Sequence, residues 1–356
     1  MGTIFKNGWW SCGFDMLATA NMSSTSIAGI FDQFSGGDFG VGVSAANAVF
    51  SGKGAAFSRN SHCGRTFDTA LTELMLGIWM SPNLLPISPN IQCFLTLANT
   101  GGTVASLGFN NLGQIGVYSA GGVQGSTALS GLIGNLSAQN LIVPAVYVPI
   151  ELHISATGIE VRVNRTSVLT LSNAFGAVNQ LYIGSNTSNF SVLLDHLYVL
   201  DMTGAAPFNN YLTKWRIQTD GPIAGSATPG LNAWTPTTPQ GSDWANAANI
   251  PPNSAQNNYS AIVGARMSLA FPPLNTSRVY GLNSWMSLEE DAAGGRSATP
   301  IYRSNNVDQS GDEIALPGSF QYFSQNSVID PNTGQPWFDG SVAAAQACEI
   351  GASVSA

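Results

Sequence analysis

Between Ile150 and Leu171 the chain alternates with a period of two: Ile150, Leu152, Ile154, Ile159, Val161 and Val163 are apolar, while Glu151, His153, Glu160, Arg162 and Asn164 between them are polar. Only a β-strand sends successive side chains to opposite faces. The segment therefore predicts a hairpin turning at Gly158, with one face in a core and the other in solvent. A lone hairpin is marginal in water, so this one needs a larger sheet around it. From residue 14 to about residue 200, short apolar runs recur between Gly, Asn, Ser and Pro at the spacing of an all-β sandwich. Strands are expected at 41–43, 74–80, 91–98, 104–109, 115–119 and 149–155, with no amphipathic helix longer than a turn or two in this half.

Composition narrows the partners. Charged residues make up 9% of the chain, against about 25% in an ordinary soluble domain, so solubility must rest on amides and hydroxyls. Such a surface suits neighbours in an assembly or neutral polymers such as sugars. The net charge is −8, and the 12 Lys and Arg form no basic stripe, which argues against nucleic acid. No apolar run is long enough to span a bilayer, so no membrane insertion is expected, and the first residues lack the apolar core of a secretory leader. The 4 cysteines, Cys12, Cys63, Cys93 and Cys348, form no CxxC pair and read as buried thiols, with a Cys12–Cys63 bridge left open.

No constellation of catalytic residues stands out. His62, His153 and His196 are far apart and lack a metal-ligand spacing, and His62 and Cys63, adjacent on a strand, would face opposite ways. Glu151 and Glu160 lie on opposing strands and read as cross-strand neighbours on a solvated face rather than as a catalytic pair. Glu289, Glu290 and Asp291 read as a solvated tip loop, and Gly36-Gly37 and Gly101-Gly102 as turns. The expectation is a non-enzyme with no cofactor and no metal. Trp9, Trp10, Trp234 and Trp244 are the candidate interface residues, since exposed tryptophan carries disproportionate binding energy; packing into the chain's own core is the alternative for Trp9 and Trp10.

The segment Asp195-His-Leu-Tyr-Val-Leu-Asp-Met-Thr-Gly-Ala-Ala-Pro207 reads as a strand stopped by a turn. It resembles a junction recurrent in structural proteins of tailed bacteriophages, where a concanavalin-like (laminin G-like) jelly roll ends and a distal β-domain begins. The hairpin before it resembles the late strands of the same sandwiches, and Gly13-Phe-Asp15 their opening. Asn232-Ala-Trp-Thr-Pro236 and Asp330-Pro-Asn-Thr-Gly-Gln-Pro-Trp337 resemble the segments that follow.

The resemblance implies a concanavalin-like jelly roll over 1–205, an extended Pro- and Trp-containing connector over 206–258, and a smaller β-rich domain with one short helix over 259–356. Within the last part, strands are expected at 261–269, 279–288, 297–304, 320–324 and 348–354, and the helix at 338–347. The function it implies is that of a virion component assembled in the host cytoplasm. Tail fibre or tail tip is the first placement and capsid surface the second, with other virion proteins and further copies of the chain as partners. A carbohydrate-binding module engaging host-surface glycan is the alternative reading.

Overall fold

The computed structural model describes residues 9–12, 31–35, 41–44, 47–49, 54–57, 61–84, 91–119, 132–135, 146–172, 175–184, 191–212, 215–237, 243–248, 255–274, 276–290, 295–338, 340 and 342–355. They form two compact units, one over Gly8–Ile217 and one that includes Gln218–Ala356.

The first unit is a two-sheet jelly-roll sandwich. Its strands are β1 (Trp9–Cys12), β2 (Gln33–Ser35), β3 (Val41–Ser44), β4 (Gly54–Phe57), β5 (His62–Leu71), β6 (Leu74–Leu84), β7 (Gln92–Asn99), β8 (Gly102–Phe109), β9 (Ile115–Ser119), β10 (Leu132–Asn135), β11 (Val148–Ser155), β12 (Gly158–Val163), β13 (Thr166–Leu171), β14 (Val178–Gly184) and β15 (Ser191–Leu200). One sheet runs β13-β12-β11-β6-β15-β4-β3 with β1 on β15, and the other runs β10-β9-β8-β7-β14-β5-β2. Sequence neighbours such as β5 and β6 or β14 and β15 fall in different sheets, so the chain crosses the sandwich repeatedly.

Register explains the core. The apolar set of the 150–171 segment lines up as Ile78, Ile150 and Val163 in one row and Leu76, Leu152 and Val161 in the next, all buried. Opposite them, Ile183, Leu95, Leu107 and Val117 share a row of the second sheet and are also buried. Each such side chain contributes roughly 1.5–3 kcal/mol by leaving water.

The second unit contains β16 (Ala224–Gly225), β17 (Thr235–Pro236), α1 (Asp243–Ala247), β18 (Asn258–Tyr259), β19 (Arg266–Ala270), β20 (Leu282–Leu288), β21 (Ser297–Ser304), β22 (Val307–Ser310), β23 (Ile314–Ala315), β24 (Gln321–Ser327), α2 (Val342–Gln346) and β25 (Glu349–Val354). Its main sheet runs β16-β19-β25-β21-β22, with β23 on β21 and a separate β20–β24 hairpin. Val279, Tyr302, Trp337, Ala345 and Cys348 form its core cluster. The Asp330 carboxylate accepts from the Asn332 N–H and the Thr333 hydroxyl, both at 3.0 Å, which fixes the turn that delivers Trp337 to that core. Residues 206–258 divide between the units: the boundary falls after Ile217, and the described residues beyond it contribute β16, β17, α1 and the start of β18 to the second unit.

Candidate functional site

The two outer faces of the sandwich differ. That of the eight-stranded sheet carries the polar set of the hairpin, and the expectation that this face is solvated is wrong for its centre: Glu151 is 1% exposed. The chain itself covers it. Tyr198, Gly77, Glu151 and Arg162 form one row across β15, β6, β11 and β12. Tyr198 donates from its hydroxyl to Glu151 Oε1 at 2.7 Å. The Trp215 ring then meets Tyr198 edge-on at 5.0 Å and Trp79 at 5.9 Å. Gly77 makes room for this, since a Cβ there would lie 2.2 Å from Tyr198 Cε1 and 2.9 Å from Trp215 Cζ2. At the margin, Tyr211 lies under the Arg162 guanidinium, 3.7 Å from its ring centroid, and donates to Glu160 at 3.1 Å. Glu151 and Glu160 are not opposite each other: Glu151 pairs with Arg162, and Glu160 with His153.

The junction residues hold this covering segment in place. Strand β15 bulges between Asp195 and Tyr198, with His196 at φ 48°. The buried Asp195 carboxylate accepts from the Val49 N–H at 3.0 Å and the His196 N–H at 2.8 Å. His196 in turn accepts from the Trp215 indole at its carbonyl, 2.9 Å, and from the Ile217 N–H at Nδ1, 3.3 Å. Burial, and then the Arg216 charge, hold its imidazole down to about pKa 3.

The outer face of the seven-stranded sheet is where the structure brings uncharged polar groups together. Gln33, Gly64, Tyr182, Thr96, Ser106 and Tyr118 stand side by side across β2, β5, β14, β7, β8 and β9. Tyr182 donates to Gln33 Oε1 at 2.7 Å, and Gln33 donates to the Thr66 hydroxyl at 3.3 Å. A hydrogen bond of 3.1 Å joins the Thr96 and Ser106 hydroxyls, both buried. Gln33, His62, Thr66, Gln180 and Tyr182 are half-buried and form the accessible part. A Cβ on Gly64 would meet Tyr182 Cδ1 at 2.7 Å and Cε1 at 2.8 Å, so the ring lies down over the Gly64 backbone. His62 meets that ring edge-on at 5.8 Å, and burial lowers its pKa. Its Nδ1 is buried with no hydrogen-bond partner. As alternation requires, Cys63 points the other way, into the core.

Of the residues singled out in the sequence, Trp10 is buried in the chain's own core, edge-on to Phe31 at 6.2 Å. Trp234 is half-buried and donates to the Ala265 carbonyl at 3.1 Å. The side chains of Trp9 and Trp244 lie outside the described residues, as does Asp291. Cys63, Cys93 and Cys348 are buried, and the Cys12 side chain, and with it the Cys12–Cys63 bridge, lies outside the described residues. His153 pairs with Glu73 at 2.8 Å at the hairpin margin. Strands β5 and β14, which carry most of the accessible patch, fall outside the sequence expectation. In β14 a signal was present: Leu181 and Ile183 alternate with Gln180 and Tyr182.

No family model and no curated protein matches the chain. Solved structures do. A cellulose-induced protein, Cip1, aligns with TM-score 0.40 and 12% identity over 55% of this chain and 99% of its own. The alginate lyase AlgAT5 of polysaccharide lyase family 7 aligns with TM-score 0.37 and 10% identity over 54% of this chain and 94% of its own. Domain 4 of AbnA, a GH43 extracellular arabinanase from Geobacillus stearothermophilus, in complex with arabinotriose, aligns with TM-score 0.37 and 15% identity over 55% of this chain and 91% of its own. None of these three names concerns a virion. The expectation of a non-enzyme is corrected, because alginate lyases and sialidases stand among the similar structures and the sandwich is no ground for excluding catalysis. What this chain shares with the alginate lyases is the fold, a two-sheet jelly-roll sandwich.

Proposed function

We propose that the sandwich is a glycan-binding domain and that the patch around Tyr182 is its binding surface. The observation that carries this reading is the Tyr182 ring, laid over Gly64 and ringed by Gln33, His62, Thr66 and Gln180. A pyranose presents C–H groups on its face and hydroxyls on its rim. An aromatic plate surrounded by amides and hydroxyls answers both, burying the apolar face and replacing the hydrogen bonds that water loses. The low charge of the whole chain fits a partner met through such groups. Binding of the protein to an array of soluble polysaccharides tests it. Tyr182→Ala should weaken binding at least about tenfold, the loss expected for an anchoring aromatic. Unchanged binding in that variant would remove this face from the account.

A second reading rests on the junction from Asp195 to Pro207, which resembles tailed-phage structural proteins. In it, the chain is a virion component of the tail fibre or tail tip, or else of the capsid surface, and the glycan belongs to the host surface. Mass spectrometry of purified particles tests this, and absence of the chain from them would exclude it.

A further inference from the structure

We infer that the polymer bound at Tyr182 is an uncharged polysaccharide rather than a uronate- or sialate-bearing one. The inference rests on the glycan-binding reading and adds the class of glycan. Gln33, Thr66, Gln180 and Tyr182 offer amides, a hydroxyl and a phenol, and His62 is the remaining member of the accessible patch. Burial lowers the His62 pKa from its ordinary value of 6.5, so it too is neutral near pH 7. Among the described residues, the charge placed beside this patch is a carboxylate. Asp32, next to Gln33, is exposed and holds the Thr66 N–H at 3.0 Å from each oxygen.

The cation on that strand faces away, since alternation places Arg65 with the buried Cys63 and Phe67. An acidic polymer would thus bring its carboxylates toward the exposed Asp32, a like-charge contact that penalises the wrong partner. A neutral polymer loses nothing to this group. It keeps the ring face and the two glutamine amides, each able to donate and accept toward paired sugar hydroxyls.

The test is affinity electrophoresis of the full chain through gels containing one polymer each: neutral glucan, xylan or galactan; acidic alginate or polygalacturonate; and basic chitosan. Each is run at about 0.05 M and about 0.5 M salt, a range over which exposed charge attraction is screened. Retardation by at least one neutral polymer, unchanged between the two salts, is the expected result. Gln180→Arg, which adds a cation at the rim, should add retardation by the acidic gels. Retardation of the native chain by acidic or basic polymers alone, falling away at high salt, overturns the uncharged class while leaving glycan binding in place. Retardation by no polymer overturns the glycan-binding reading and this inference with it.

Discussion

At the scale of single residues, two positions carry more than their size suggests. Gly64 lets the Tyr182 ring lie over β5, and a methyl group there would sit 2.7 Å from the ring. Gly64→Ala should therefore tilt the ring off its bed, at a cost of about 1–3 kcal/mol from overpacking. Polysaccharide binding should fall with it, and calorimetric titration beside a thermal melt separates the two effects. His196 governs acid behaviour. Its pKa is about 3 when folded, against 6.5 for an ordinary histidine. Above pH 6.5 neither state holds the proton and stability is full. As pH falls from 6.5 toward 3, the unfolded chain takes up a proton that the folded one refuses, so stability declines across that window. His196→Asn keeps an acceptor for the Ile217 N–H and suits the φ of 48°. Urea unfolding at about pH 7 and about pH 4 should show the decline reduced by up to about 3 kcal/mol in this variant. Parallel declines in the two proteins would mean that His196 is not the responsible group.

At the scale of elements, the covering segment after β15 is the main departure from what alternation predicts. The pattern of the 150–171 hairpin was enough to place its turn at Gly158 and its buried face. It could not say that Glu151 would be sealed under Tyr198 and Trp215, because the cover comes from residues 47 and 64 positions downstream whose own pattern is irregular. Strand β5 was missed for a related reason: Cys63 and Phe67 are its buried apolar residues, with Arg65 between them, so its periodicity is weak. The Tyr182 patch could not be assembled from sequence at all, since Gln33, Thr66 and Tyr182 meet only once β2, β5 and β14 are in register. If the cover matters as described, Trp215→Ala should destabilise the sandwich by about 3–5 kcal/mol, the usual cost of removing a buried indole. Urea unfolding measures it, and a cost under about 1 kcal/mol would show that the segment merely rests on the sheet.

At the scale of the molecule, two all-β units share one chain with few charges, and each has its own core. Composition alone pointed to a surface of amides and hydroxyls, and both the Tyr182 patch and the Asn- and Ser-rich second unit follow that rule. The buried cysteines add something else. Cys63 and Cys93 are buried in the sandwich and Cys348 in the core of the second unit. Burial pushes the thiols of Cys93 and Cys348 up to about 12, so neither reacts while its surroundings stay closed. Alkylation of Cys93 and of Cys348, followed separately by peptide mass spectrometry, should therefore advance only as fast as each unit opens. A single time constant shared by both at every denaturant concentration would mean that the units open together. Nature has in effect placed a stopwatch in each half of the protein, readable without adding any label to the folded state.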